Sequence, residues 1–327
     1  MGKQAVLLLA HGTPETVEQI PEYLRNVVSG RAVPQSVVEE IQHRYSLIGH
    51  SPLTEITREQ ARLVEAELAA AGEKVPVYVG MRNWKPYIPE VVRQIRADGI
   101  EEAAVICMAP QNSRTSVGLY RRAAEAEAGG LRIDFTEGWA RHPLLAEAFA
   151  ERLRPALTKL SAEIGKPVPV LFTAHSVPTR TVEAPPAGGE NAGPRLWPGQ
   201  DADPYAEEAR HTAALVAERV KEIPQWWFAF QSQGASGGPW LGPSVEETLD
   251  RLAAEGTTAL ILQPIGFLCD HVEILYDVDI LFREFGIKRG IRIERPQSLN
   301  ASLTLASAIR DVACQGLRRL RREKAMV

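Results

Sequence analysis

Cysteine is scarce in this chain. Cys107, Cys269 and Cys314 are the three cysteines in 327 residues, and no two of them have the spacing of a zinc or redox motif. Three thiolates are also one short of the four that an iron–sulfur cluster usually takes. We therefore expect a protein without disulfide bonds and without an iron–sulfur cluster, which is typical of the cytoplasm.

Long apolar runs and a surplus of basic residues are also missing. The longest apolar runs, such as Ala5–Ala10, are far too short to span a bilayer, and the N-terminus lacks the features of a signal peptide. The net charge of −4 gives no sign of nucleic-acid binding. We therefore expect a cytoplasmic protein with no transmembrane segment and no nucleic-acid partner. A monomer is expected as well. The basic tail, residues 318–324, is interpreted as the solvated end of a last helix, with a membrane-surface contact as the alternative.

Apolar runs of strand length alternate with helix-like segments along the chain. The expected strands are Gln4–Ala10, Val75–Gly80, Ala103–Ala109, Leu131–Thr136, Pro167–Thr173, Trp226–Gln231, Thr258–Gln263 and Gly290–Ile293. The expected helices are Pro34–Tyr45, Thr54–Ala71, Pro86–Ala97, Ser116–Ala128, Pro143–Leu160, Pro204–Lys221, Ser244–Ala254 and Ala301–Arg322. Alternation of this kind predicts an α/β fold with mainly parallel sheets.

An internal repeat divides the chain into two similar halves. A strand followed by Ala-His, a small residue, any residue and Pro occurs at Val6–Pro14 and again at Val170–Pro178. The second and third strands of each half also match in order. We therefore predict two similar α/β domains, residues 1–150 and 151–327, with the last helix free to pack back on the first domain. Because ligands bind beyond the carboxyl ends of parallel strands, the sheets are expected to face a central cleft.

An acidic stretch follows the seventh expected strand, within Pro264–Asp279. Read as an α-helix from about Asp270, it places Asp270, Glu273 and Asp277 on one face, where like charges repel unless a cation or proton lies among them. The alternative is a solvated acidic surface. On the same helix His271 points about 160° away from Glu273, which favours a structural role for it.

His175, at the end of the fifth expected strand, is expected on the same side as Glu273. A neutral imidazole and a carboxylate together form a ligand set for Fe²⁺ or Zn²⁺, and equally an acid/base pair. A histidine after a strand is also commonly a satisfied structural residue, so the residues alone leave these alternatives open.

Several motifs resemble the ferrochelatases, enzymes that insert Fe²⁺ into a porphyrin. The matching stretches are Ala10–Pro14, Arg44–Gly49, Ser51–Leu53, Met81–Trp84, Ala174–Pro178, Asp203–Tyr205, Gln231–Gln233, Trp240–Glu246 and Pro264–Asp277. The resemblance covers nearly the whole chain. It implies two Rossmann-like chelatase domains, in agreement with the repeat.

The resemblance also implies roles for individual residues. His175 and Glu273 would be the metal ligands and the catalytic pair, with Asp277 and Arg44 just outside them. The porphyrin-binding residues would include His11, Arg31, Ser51, Ser113, Arg114 and Thr115. Fe²⁺ and porphyrin would be the substrates, and no cofactor would be bound permanently. Removal of the pyrrole protons requires a base that is neutral at cellular pH, as histidine with its ordinary pKa is.

The porphyrin itself is predicted from finer features. The Gly-Thr-Pro opening and the Pro110–Ser116 loop resemble the coproporphyrin-type branch, which favours coproporphyrin III over protoporphyrin IX. Three features depart from the family pattern. His11 stands where that branch has Tyr, Leu281 replaces the last carboxylate of the acidic stripe, and the loop 183–204 is longer than usual.

Two other classes of function stay open at this stage. A cobalt or nickel chelatase acting on a sirohydrochlorin-like ring would have the same fold. A non-catalytic porphyrin or haem carrier, or a two-lobed solute-binding protein, would use a similar cleft without chemistry.

Overall fold

The structure is a computed structural model that describes residues 3–182, 203–233 and 239–325. The chain separates into two compact units. One consists of residues 1–139 together with 300–327, and the other of residues 140–299. The C-terminal segment is therefore part of the first unit.

The first unit is built from four strands and six helices within its described residues. In chain order these are β1 (Gln4–Ala10), α1 (Ile20–Val27), α2 (Gln35–Ile48), α3 (Leu53–Ala70), β2 (Val77–Met81), α4 (Ile88–Ala97), β3 (Glu102–Cys107), α5 (Val117–Ala126), β4 (Arg132–Thr136) and α11 (Leu303–Ala325), which returns from the end of the chain. A short 3₁₀ turn, Val17–Gln19, precedes α1.

The four strands form one parallel sheet in the order β2-β1-β3-β4. β1 and β3 are buried along nearly their whole length, as expected for the central strands of a parallel sheet. Since side chains alternate along a strand, Leu7 and Leu9 point to one face, where they join a core with residues of α4 and α5. Ala104 points to the other face, where Gly316 of α11 lies so close that a Cβ there would be 3.0 Å from the Ala104 Cβ.

The basic end of α11 is held to this unit by ion pairs. Arg319 donates two hydrogen bonds to Asp134, at 2.8 and 2.7 Å. Arg321 pairs with Glu73 at 2.5 Å and also donates to Gln4. Two of the tail arginines therefore fasten the helix to the sheet and to the end of α3, which differs from the expectation of a wholly solvated tail.

The second unit repeats the plan of the first. Its described elements are α6 (Pro143–Ile164), β5 (Val170–His175), α7 (Thr179–Val182), α8 (Tyr205–Arg219), β6 (Trp226–Gln231), α9 (Val245–Ala254), β7 (Ala259–Pro264), a π-helix (Glu273–Phe282), α10 (Arg283–Ile287) and β8 (Arg292–Glu294). The strands form a parallel sheet in the order β6-β5-β7-β8.

The two sheets have the same order, with the second strand of each unit beside the first and the third on the other side. The predicted α/β fold with two similar parallel-sheet domains is confirmed. Helix α1 was not expected from the sequence, and the helix expected from about Asp270 is a π-helix that begins at Glu273.

Within the described residues, no helix has the length and the apolar composition that crossing a membrane requires. The three cysteines are free, and Cys107 and Cys269 are buried. Burial raises the pKa of each of these two thiols to about 12.

Candidate functional site

His175 is the last residue of β5, a central strand of the second sheet. Its backbone is held by the neighbouring strand, where Gln231 lies in register with it, and by the Tyr205 hydroxyl, which donates to the His175 carbonyl at 2.8 Å. The ring Nδ1 is in a short hydrogen bond with the carbonyl of Ser176. A carbonyl only accepts, so Nδ1 carries the proton and Nε2 is directed elsewhere.

Glu273 is the group that His175 Nε2 meets. Glu273 is the first residue of the π-helix, and its Oε1 lies 3.2 Å from His175 Nε2. The side chains of His175 and Glu273 keep 30% and 33% of their surface exposed, so a small substrate can reach them. The structure thus brings together the two residues that the sequence singled out as a pair.

His271 also contacts Glu273, contrary to the expectation from an α-helix. Its Nε2 lies 3.3 Å from Glu273 Oε2, and its Nδ1 donates to the Cys269 carbonyl at 3.0 Å. The prediction that His271 points away from Glu273 was wrong because His271 precedes the helix, so helical spacing does not apply to it. Each oxygen of the carboxylate therefore faces one imidazole.

The three acidic residues of the stretch do not share one face. Asp270 lies before the helix and pairs with Arg295, and Asp277 accepts a short hydrogen bond from the Ser232 hydroxyl. The spacing of an α-helix does not hold in a π-helix, whose hydrogen bonds run from i to i+5. Asp270 and Asp277 therefore each have a partner of their own, and Asp270 is not part of the helix that carries Glu273 and Asp277.

Ser232 and Gln231 attach the end of β6 to the π-helix. Ser232 has a φ of +60°, which is unusual for a residue other than glycine. Gln231 is buried, accepts from the Thr173 hydroxyl at 2.5 Å and donates to the Glu273 carbonyl at 3.4 Å. The position of Glu273 is thus fixed through its backbone as well as its carboxylate.

His175 and Glu273 each favour the charged form of the other. Partial burial acts to lower the pKa of His175, but the charge and hydrogen bond of Glu273, with smaller effects from Ser176 and Asp277, raise that pKa above its ordinary 6.5. Burial likewise acts to raise the pKa of Glu273, and the two histidines outweigh it and hold that pKa well below 4.5. His175 is therefore less readily neutral than the sequence suggested.

The residues expected to bind a porphyrin lie in the first unit, mostly in loops that follow strands. His11 ends up after β1, where its Nε2 lies 2.9 Å from the Tyr23 hydroxyl and 3.1 Å from Asn83 Nδ2. Ser113, Arg114 and Thr115 follow β3, and the hydroxyls of Ser113 and Thr115 lie 2.9 Å apart.

The remaining expected residues of this unit are more scattered. Ser51 is buried before α3, and its carbonyl accepts from the Thr13 hydroxyl at 3.3 Å. Arg31 is exposed and donates to the Val28 carbonyl at 2.9 Å. Arg44 lies on α2, where it pairs with Glu40 at 3.0 Å. Most of the loop 183–204 lies outside the described residues.

Gly12 is the residue that makes the turn after His11. Its φ of +79° favours glycine, and a Cβ at this position would lie 2.9 Å from the Met81 Cβ and 2.9 Å from the Trp84 backbone nitrogen. The backbone of β1 therefore passes close to the end of β2, which brings His11 beside Asn83.

Sequence reasoning missed Arg82 and Tyr23. Arg82 follows β2, is partly buried, and places its guanidinium 5.8 Å from the centre of the Tyr120 ring. Burial lowers its pKa, and among the described residues no carboxylate pairs with it. Arg82 lies inside the Met81–Trp84 motif, and that motif is the feature of the sequence that could have identified it as a candidate. Tyr23 lies on the unforeseen helix α1.

Comparison with known proteins agrees with these features. The family model described as Ferrochelatase matches residues 3–317. A ferrochelatase of Acidobacterium capsulatum is 57% identical over 324 residues, covering 99% of this chain and 97% of the relative. A coproporphyrin III ferrochelatase of Mycolicibacterium vanbaalenii is 35% identical over 321 residues, covering 95% of this chain and 89% of the relative.

Among solved structures, the sirohydrochlorin chelatase SirB of Bacillus subtilis in complex with cobalt superposes with a TM-score of 0.56. It shares 10% sequence identity and covers 96% of this chain and 95% of its own. At that identity the likeness supports the chelatase fold alone. The family match and the sequence relatives go further, and on their evidence the chain belongs to the ferrochelatase family of enzymes.

Proposed function

We propose that the chain inserts Fe²⁺ into a porphyrin, with His175 and Glu273 binding the metal and handling the protons. The observation that supports this most directly is the 3.2 Å contact between His175 Nε2 and Glu273 Oε1. One imidazole nitrogen and one carboxylate oxygen suit a first-row divalent metal. Their partial exposure suits a metal that arrives as a substrate and leaves in the product.

A proton on His175 Nε2 must leave before the metal can bind there, so proton loss, metal binding and metal transfer follow in that order. An arriving Fe²⁺ needs the lone pair on that nitrogen, so the proton leaves to water as the metal binds. When the metal passes to the ring, two pyrrole N–H protons are lost. His175 Nε2 takes one of them and so regenerates the imidazolium, while the second leaves through Glu273, whose other oxygen contacts His271. Each turnover then exchanges one Fe²⁺ for two protons.

We further propose that coproporphyrin III is preferred to protoporphyrin IX. Coproporphyrin carries four propionates and protoporphyrin two, so the former requires more cationic or hydrogen-bonding groups. Arg82 supports this preference because a partly buried guanidinium without a carboxylate partner among the described residues is stabilised by an anionic ligand. A charged hydrogen bond of this kind contributes about 1.5–3 kcal/mol.

Anaerobic metal insertion tests both proposals. Fe²⁺ insertion should be faster with coproporphyrin III than with protoporphyrin IX, and His175→Ala should abolish insertion while porphyrin binding, followed by fluorescence, persists. His43→Ala is the matched control because His43 is an exposed histidine on α2. An active His175→Ala variant would refute the role of the pair. Insertion of Co²⁺ into sirohydrochlorin without any Fe²⁺ insertion would favour the cobalt chelatase instead.

Several expectations remain predictions. These are the monomeric state, the cytoplasmic location, the lack of a nucleic-acid partner and the lack of a permanently bound cofactor. Roles in catalysis or porphyrin binding also remain proposals for Asp277, Arg44, His11, Arg31, Ser51, Ser113, Arg114 and Thr115.

A further inference from the structure

Arg295 holds the acidic stretch of the second unit at two places. Its Nε and Nη2 donate to the two oxygens of Asp279, at 2.8 and 2.7 Å. Its Nη1 lies 3.2 Å from Asp270 Oδ1, and Ser298 completes the group by donating to the same Asp270 oxygen at 2.6 Å. The Arg295 side chain is 11% exposed, so these contacts are largely shielded from water.

The two carboxylates bracket the residues at the metal pair. Asp270 lies directly before His271, and Asp279 lies six residues after Glu273, beyond Asp277. Arg295 therefore fixes both the approach to the π-helix and its middle. The Arg295 guanidinium binds both oxygens of Asp279 in a bidentate pair. Two parallel hydrogen bonds fix the orientation of the carboxylate as well as its distance.

A π-helix needs such support. Helices with i to i+5 hydrogen bonds are rare and usually last a single turn, whereas this one spans ten residues, Glu273–Phe282. A relaxation toward α-helical spacing would rotate Glu273 relative to Asp277 and Asp279. The contacts of Glu273 with His175 and of Asp277 with Ser232 would then no longer form together.

We propose that Arg295 is a positioning residue that keeps the Asp270–Asp279 segment in the register that directs Glu273 at His175. This inference rests on the proposed metal-binding function of that pair. Arg295 acts through Asp270 and Asp279, and none of its hydrogen bonds or ion pairs within the described residues involves His175 or Glu273.

Metal affinity is the first measurement, with Co²⁺ as an air-stable probe in calorimetric titrations of the full chain. Arg295→Met should weaken Co²⁺ binding about 10–100-fold, the range seen when a group that orients a metal ligand is removed. Arg295→Lys should lie between this variant and wild type, because an ammonium lacks the fork that binds both oxygens of Asp279. Porphyrin binding should change less than about threefold.

Arg292→Met is the matched control. Arg292 is three residues away on β8, is 45% exposed, and pairs with Glu163 and Glu294, neither of which contacts the metal pair. Arg292→Met is the same chemical change as Arg295→Met, and it should leave Co²⁺ affinity and Fe²⁺ insertion unchanged.

A double-mutant cycle separates positioning from general stability. If Arg295 acts through Glu273, then adding Arg295→Met to Glu273→Gln should weaken Co²⁺ binding by less than about threefold. A full additive loss in the double variant would overturn the proposal, as would wild-type Co²⁺ affinity in Arg295→Met. If Arg295→Met does not fold, Arg295→Lys and Ser298→Ala carry the same test, since Ser298 bridges to Asp270 without a charge.

Fe²⁺ insertion by the wild-type chain distinguishes a failure of the proposed function from a failure of the positioning role of Arg295. If the wild type inserts no Fe²⁺, the proposed function is wrong, whatever Arg295 does to Co²⁺ affinity. If the wild type inserts Fe²⁺ and Arg295→Met retains both affinity and insertion, the positioning role alone is wrong.

Discussion

Replacing Glu273 by Gln should change metal affinity by an amount that depends on pH. The substitution keeps the size of the side chain and removes its charge. Glu273 raises the pKa of His175 and lies 3.2 Å from its Nε2, so it favours a proton on that nitrogen. Under the proposed function a metal replaces that proton, and Glu273 then strengthens the binding of both competitors.

The magnitudes follow from the 3.2 Å separation. Coulomb attraction between unit charges at that distance is about 1.3 kcal/mol at the dielectric constant of water and about 5 kcal/mol at an effective value of 20. Because about a third of each side chain is exposed, we take about 2 kcal/mol for the proton on His175, and about twice that for a divalent metal, since the attraction scales with charge.

The gap between wild type and Glu273→Gln should consequently widen as pH rises. At a pH where His175 is protonated in both chains, the wild type gains about 4 kcal/mol for the metal and loses about 2 kcal/mol to the proton, a net advantage of about thirtyfold in affinity. Above the raised pKa of His175 no proton competes, and the advantage should approach about a thousandfold. The gap widens with rising pH because Glu273 raises the pKa of His175 in the wild type, and Glu273→Gln removes that effect.

Calorimetric Co²⁺ titrations between pH 6 and 9, each in two buffers of different ionisation enthalpy, measure both affinity and protons released. The wild type should release about one proton below the pKa of His175, and Glu273→Gln should release fewer at the same pH. Glu255→Gln, an exposed glutamate that directly follows α9 and pairs with Arg251, is the control. A gap that stays constant or narrows with rising pH would refute the imidazolium–carboxylate pair.

Two further predictions concern the first unit. Arg82→Met should weaken coproporphyrin III binding about tenfold and protoporphyrin IX binding less, as measured by fluorescence titration, because the guanidinium is expected to bind a propionate. Equal losses for the two porphyrins would contradict a role in selecting the tetracarboxylate. Gly12→Ala should lower the free energy of unfolding in urea by at least about 2 kcal/mol, since a left-handed backbone and two contacts near 2.9 Å oppose a Cβ there. Gly30→Ala, with a φ of +80° and open space around the added Cβ, separates the backbone cost from the clash.

The sheets could be predicted from the sequence because their central strands, β1, β3, β5 and β7, are buried on both faces. Trp226–Gln231 and Gln4–Ala10 have the expected bounds, and the other strands are displaced by one to three residues. Such strands are short apolar runs that end at polar or turn residues, which is a local signal. Helix α1 gave a weaker signal because eight residues show few repeats of the helical pattern and because its second residue, Pro21, is more often read as a turn residue.

The interior geometry of the site could not be predicted in the same way. His175 and Glu273 were expected on one side because strand ends in a parallel sheet share an edge. The π-helix, by contrast, makes contacts with residues outside it in sequence, such as that between Asp279 and Arg295, and local spacing gives no sign of these contacts. An α-helix starting at Asp270 would place Asp270 on the same face as Glu273 and His271 on the opposite face. Both predictions were wrong, because the helix begins at Glu273 and both residues precede it.

The repeat also explains why two histidines at equivalent positions have different chemistry. His11 follows β1 as His175 ends β5, and each of these strands is flanked by the second and third strands of its unit. The partners differ, however. His11 meets a phenol and an amide, those of Tyr23 and Asn83. His175 meets a carboxylate, that of Glu273, which raises its pKa. Equivalent backbones thus place two imidazoles beside different side chains, and it is Glu273 that raises the pKa of His175.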